Sequence, residues 1–430
     1  MLIKPFIPAF EVIDFQSGAF GRDLENALGE MVQTQVSGKK LSDIIKHHTN
    51  LNVTITTNTD NIACVYIPTF HNNHIFFNNA YREYYRAYAE EKGHVSSFRK
   101  LNNEMKKHTV SMKDSRVTGL FAEMEVDIHF DFDFFKKYKF SPAQMAAIIM
   151  HEVGHLFTIY ELMAHKTTQN TVLAALCDTI KTDLPDQREF IFKEAESALS
   201  LNAGDLKEVY NSKDASVIST VVIQKSSLAL TSQTGLQGYD LVSCEQMADQ
   251  FVSRHGYGRH VIEALDLLHS KFGMKETKDN YYRNLIGDTF SLSCHFGATI
   301  LSIAVGMTGW GFFFGLTLLL NFIFSGAANE DHTYDTTMIR FKRVRDDMVA
   351  SLKNPKAKYS SQEIKIITKD IEDMDGLLDT LKDYTPLMAR LKNFLFKKHR
   401  DFKDSMDFQH ELEDFAANSL FVKAAQLRNM

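Results

Sequence analysis

His151, Glu152 and His155 stand within the stretch 140–155, which reads FSPAQMAAIIMHEVGH. At 3.6 residues per turn, positions four apart share one face of a helix, so both imidazoles can converge on a single metal ion. Glu152 lies one step round that helix, where a carboxylate can take a proton from a metal-bound water without ligating the metal. Residues of these types at this spacing outline a zinc site, and the chemistry they favour is peptide-bond hydrolysis. Two histidines on a partly buried helix face would give the same five letters, so the motif must be weighed with its surroundings.

The motif needs a helix, and the local sequence specifies one. Ser141 suits the N-cap, Pro142 the first helical position, and Gln144 completes a capping box. Ala146 to Ile149 supply helix formers and apolar bulk, predicting a helix that runs to about His165. Upstream, Met124, Val126, Ile128, Phe130, Phe132 and Phe134 alternate with Glu123, Glu125, Asp127, His129, Asp131 and Asp133. Period two over 121–134 predicts one strand with an apolar inner face and a solvated acidic outer face, ended by Lys136, Lys137 and Lys139. Carboxylates on alternate strand positions lie in a row and do not wrap a calcium ion.

A third ligand has to come from elsewhere. Thr158 and Glu161 occupy the places where a metzincin needs glycine and histidine, which excludes that class. A helical pattern over Cys244 to Leu268 carries Glu245 and Asp249 four apart and breaks at Gly256. One of these carboxylates could ligate and the other orient a ligand histidine from behind, giving a His, His, Glu site with an open fourth position. Glu161, Glu194 and Glu196 compete for the role, and spacing does not choose among them.

The block SPAQMAAIIMHEVGH, followed by EQMADQFVSRHGYG and IEALDLL, resembles the HtpX-like and CAAX-prenyl-endopeptidase group of gluzincin metalloproteases over residues 120–270. In that group a helix with HExxH precedes a second helix with ExxAD and a Gly-Tyr turn. The resemblance implies that His151, His155 and Glu245 bind one Zn2+ per chain, that Glu152 is the general base and acid, and that Asp249 supports a ligand histidine. Group members also carry a later histidine and arginine that help close the fold or stabilise the oxyanion. The nearest counterparts are His332 and Arg340, at a longer spacing and without the group's proline. Tyr257, Arg259 and His260 are the other oxyanion candidates.

The whole chain bounds these readings. Its 430 residues, 44% of them hydrophobic, suffice for a substantial core. The net charge of -6 gives no reason to expect nucleic acid, and the basic run Lys397 to Arg400 reads as a solvated helix face. Four cysteines without CxxC spacing argue against a disulfide framework and fit a reducing, intracellular setting. The first fifteen residues, broken by Pro5 and Pro8 and carrying Glu11 and Asp14, make a poor secretory signal.

The expected architecture is α+β and mainly helical: a zincin-like core with a small sheet, an apolar helical hairpin and a helical tail. Three segments are expected: 1–115 of unknown role, 116–350 as the metalloprotease domain, and 351–430 as the tail. The first holds a helix near Leu24 to Val36, strand-like runs at 52–57 and 62–67, and His47, His48, His71 and His74, which read as loop histidines. Helices are expected at 188–201 and 215–230, with a break at 202–205. Residues 289–329 contain no Asp, Glu, Lys or Arg, long enough for one membrane-spanning helix, yet Gly306, Gly309, Gly311 and Gly315 suit a hairpin of two shorter ones. Membrane contact through 296–324 is the expectation, a buried hairpin the alternative. Ile364, Ile367, Ile371, Met374, Leu378 and Leu381 form a seam for an antiparallel helix pair, a helical partner or self-association through 361–383, and Thr385-Pro386 starts another helix. The function expected is a zinc endopeptidase acting on a peptide or protein substrate. The alternative is a structural or assembly subunit of a membrane complex or large particle built on the same fold.

Overall fold

Val53 and Ile55 alternate with outward residues in NVTIT, and Val126, Ile128 and Phe130 do the same in EVDIHF, so both segments become strands with one apolar face. The computed structural model describes residues 19–33, 38–57, 63–66, 95–111, 114–182, 185–234, 241–271, 278–324, 337–353 and 359–381. In chain order these hold α1 (Ala19–Gln33), α2 (Gly38–Thr49), β1 (Asn52–Thr56), β2 (Ala63–Tyr66), α3 (Val95–Met105), β3 (Val110–Ser111), β4 (Arg116–Val117), α4 (Leu120–Glu123), β5 (Glu125–Phe130) and α5 (Phe132–Lys137). There follow α6 (Pro142–Thr182), α7 (Pro185–Ala198), α8 (Ala215–Thr234), α9 (Leu241–Arg254), α10 (Gly258–Lys271), α11 (Lys278–Ala304), α12 (Thr308–Phe324), α13 (Thr337–Lys353) and α14 (Ser361–Leu378). The protein is mainly helical with a small sheet, as expected.

The main sheet has the order β1-β5-β2, with β1 parallel and β2 antiparallel to the central β5. The strand at 121–134 is therefore shorter than its alternation predicts. Asp131 ends it by capping α5, its side chain accepting from the Phe134 backbone N–H at 3.0 Å, and the lysines fall in and just beyond α5. A local hydrogen bond to an Asp cap outcompetes continued pairing, so the last two alternating phenylalanines belong to a helix. At the other end α4 takes Leu120 to Glu123 out of the strand.

The capping box that starts α6 forms as read: the Gln144 N–H donates to Ser141 Oγ at 3.2 Å, and the Ser141 N–H to Gln144 Oε1 at 2.9 Å. The helix runs to Thr182, well past His165, for a rise of about 60 Å. Apolar residues on several of its faces explain that length, because α1, α8, α9 and α10 all pack along it.

Buried residues of all three expected segments pack together. Phe20, Leu24 and Val53 from the first segment and Ile367 and Met374 from the last share one core with Ile149, Phe157 and Phe251. The seam on α14 is likewise used within the chain: Ile367, Ile371 and Met374 are buried where α14 packs on α13 and α10, and Ile364 is left 45% exposed. His71, His74, His332, the Thr385-Pro386 helix and the basic run at 397–400 lie outside the described residues.

The charge-free stretch forms the hairpin of two shorter helices. α11 and α12 pack on each other across a turn at Gly306, whose φ of 77° suits glycine. Among the described residues no helix is long and apolar enough to cross a membrane.

His255, just past α9, is buried against the rings of Phe20 and Phe251, 3.2 Å from Ser115 Oγ. Burial, and then the neighbouring His48, push its pKa down to about 3 from the ordinary 6.5. The unfolded chain thus binds the extra proton first. This group's stabilising contribution is complete above about pH 6.5 and is lost as pH falls toward about 3. Urea unfolding is expected to show about 2 kcal/mol less stability near pH 5 than near pH 7.5 from this group, and His255→Gln should flatten the profile by that amount. An unchanged profile would mean that His255 is not held neutral.

Candidate metal centre

α6 presents His151 and His155 one turn apart, with ring centroids 4.6 Å apart. α9 crosses directly over them. Glu245 Oε2 lies 3.3 Å from His151 Nε2, and Glu245 Oε1 lies 3.3 Å from His155 Nε2. The crossing is close because Gly154 has no side chain: a Cβ there would stand 2.7 Å from the Cα of Ala248. Glycine within HEVGH and alanine within EQMAD are thus one contact, and it sets how far Glu245 stands from the imidazoles.

One donor atom from each of His151, His155 and Glu245 lies within 4.8 Å of the other two. Each Glu245 oxygen faces one imidazole nitrogen at 3.3 Å, so the carboxylate spans both histidines on the side where a metal would sit. Two imidazoles and a carboxylate are also a donor set that zinc accepts, with a fourth position left for water or substrate. The donor types present are thus compatible with such an ion.

Behind the donors, Asp249 Oδ1 lies 3.1 Å from His151 Nδ1, the nitrogen turned away from Glu245. The two are close enough for an ion pair, although the approach lacks the alignment of a hydrogen bond. Asp249 is held in turn by Arg340 of α13, whose Nε donates to Oδ2 at 2.9 Å and Nη2 to Oδ1 at 2.7 Å. The same Nη2 lies 3.1 Å from Glu245 Oε2. A second buried pair, Arg254 to Asp347 at 2.6 Å, joins α9 to α13.

These charges are nearly out of water. Burial disfavours the His151 cation, but Asp249 and Glu245 outweigh it and push its pKa up to about 10. Burial also opposes ionisation of Glu245 and Asp249. The two imidazoles hold the Glu245 carboxyl well below its usual range, and Arg340, followed by His151, lowers that of Asp249. Protons and a metal thus compete for the same imidazole nitrogens.

The acids that spacing could not separate are separated by position. Glu196 accepts from the Gly204 and Leu206 N–H groups at 3.0 and 2.8 Å and from the Tyr210 hydroxyl at 3.0 Å, bracing the turn after α7. Glu194 accepts from Asn102 at 3.0 Å. Glu161, pushed up to about 7 by burial, lines a separate cavity of 320 Å³ beside His108, His165 and Ser197. None of the three reaches the histidines' metal-facing side.

The oxyanion candidates are engaged elsewhere. The Tyr257 hydroxyl donates to Glu25 at 2.7 Å, Arg259 pairs with Glu263, Asp370 and Asp373, and His260 lies 3.5 Å from Glu263. Arg340 is buried and paired with both Glu245 and Asp249. Its grip on Asp249 was not readable, because 91 residues separate the two.

β2 completes the surroundings. It is an edge of the sheet and packs on α6, and burial, followed by the charge of Glu152, raises the Cys64 thiol on β2. Compared with protein-family models, with curated proteins and with solved structures, the chain matches none. Its functional reading rests on this site.

Proposed function

We propose that the protein is a zinc-dependent endopeptidase of the gluzincin type, in keeping with its resemblance to the HtpX-like group. One observation carries the reading: His151 and His155 from one helix and Glu245 from another bring one donor atom each within 4.8 Å of the other two, with Glu152 on the same turn as the histidines. Zinc, when bound, supplies Lewis acidity that polarises a scissile carbonyl and acidifies a water. Glu152, 9% exposed, accepts the proton of the attacking water and later delivers it to the leaving amine nitrogen. Asp249 and Arg340 keep His151 and Glu245 in place. Among the described residues β2 is an edge strand, the kind of element to which an extended peptide adds by backbone hydrogen bonds.

Hydrolysis of a fluorogenic peptide library before and after chelation tests the reading. Cleavage by the zinc-loaded protein should disappear with the metal and return when zinc is restored. A fully zinc-loaded wild type that cleaves nothing would favour an assembly subunit built on the same fold.

A further inference from the structure

The α11–α12 hairpin contributes no residue to the hydrophobic core, and its extensive contacts are between its own two helices. Phe296 and Ile303 on α11 are 62% and 59% exposed, Phe312 and Leu319 on α12 72% and 53%, and Met307 and Trp310 at the tip 52% and 54%. So much contiguous exposed apolar surface marks an interaction site. Its distribution identifies what covers it. A second copy or a protein groove would cover one side, whereas here large apolar side chains are exposed on both helices and at the tip. No charged residue occurs from 289 to 329, while Lys278, Asp279, Arg283 and Asp288 are confined to the base. Three threonines along the hairpin bond back to their own helix: Thr289 to the Leu285 carbonyl at 2.7 Å, Thr299 to that of His295 at 2.8 Å, and Thr317 to that of Phe314 at 2.8 Å. His295 Nδ1 likewise lies 2.8 Å from the Ser291 carbonyl. Hydrocarbon surroundings demand such internal pairing.

The charge-free part of α11 and the whole of α12 rise about 24 and 26 Å, against about 30 Å for the hydrocarbon core of a bilayer. Matched, short of spanning, and joined by an uncharged turn, they suit insertion from one side. We propose that this hairpin enters a lipid bilayer tip first, as a re-entrant element whose two ends leave from the same membrane face, holding the metal centre at that surface. The inference does not depend on the peptidase reading.

Trp310 is the chain's only tryptophan and sits at the tip, so its fluorescence reports the event directly. The full-length, zinc-loaded protein is mixed with phosphatidylcholine vesicles, with and without brominated acyl chains. A blue shift on adding vesicles, with quenching by the bromines, is expected. Phe312→Asp should weaken vesicle partitioning about a hundredfold while leaving zinc content and urea unfolding unchanged. Emission that ignores vesicles would overturn the proposal. So would emission already blue-shifted in lipid-free protein that sediments as an oligomer, which would assign the hairpin to a second copy. Neither readout requires activity, so failure here is distinct from failure as a peptidase.

Discussion

Glu152→Gln is expected to lower peptide hydrolysis by about 10²–10⁴-fold at unchanged zinc content, the range that a positioned general base and acid contributes. The substitution keeps the size and helix propensity of the side chain and removes only its ability to accept and return a proton. Among the described residues Glu152 belongs to none of the ion pairs that hold α6, α9 and α13 together, so the substitution breaks no salt bridge and the fold should be retained. Single-turnover assays on a peptide that the wild type cleaves, run beside metal analysis, check both parts. Loss of activity with loss of zinc would make Glu152 a structural residue. Unchanged activity would remove it from the proton path.

Arg340→Met should produce the largest loss of stability, about 3–5 kcal/mol, because it leaves two buried carboxylates without their cation. Asp249 loses both of its arginine hydrogen bonds and Glu245 loses its neighbouring charge. Methionine retains much of the volume and apolar stem, so the effect isolates the guanidinium. Arg340→Lys should restore part of the stability as a point charge, without the two-pronged grip on Asp249. Urea unfolding of the three proteins is the measurement. A loss below about 1 kcal/mol for Arg340→Met would mean that the clasp carries little of the α9–α13 packing.

What the sequence disclosed follows the range of each signal. The cap at Ser141, the pairing of His151 with His155 and the placing of Glu245 and Asp249 on one helical face depend on residues within a turn or two of each other. Those local rules hold in the structure. The strand at 121–134 was overextended because period two continues into Phe132 and Phe134, while one Asp cap at 131 decides the outcome. The packing between the expected segments was hidden for a different reason: β1 lies parallel to β5, and nothing local in NVTIT names its partner. The choice of Glu245 over Glu161, Glu194 and Glu196 is a tertiary fact too, fixed by the contact of Gly154 with Ala248. Arg340 is the clearest case. An arginine among Arg343, Arg345 and Lys342 carries no local mark of the carboxylate it will meet.

The central claim is that His151, His155 and Glu245 hold zinc, and metal content tests it most directly. Elemental analysis of purified wild type, Glu245→Ala and a Glu194→Ala control should find near-stoichiometric zinc in wild type and control and a large loss in Glu245→Ala alone. Zinc absent from wild type under conditions of free supply, or retained in full by Glu245→Ala, would contradict the account.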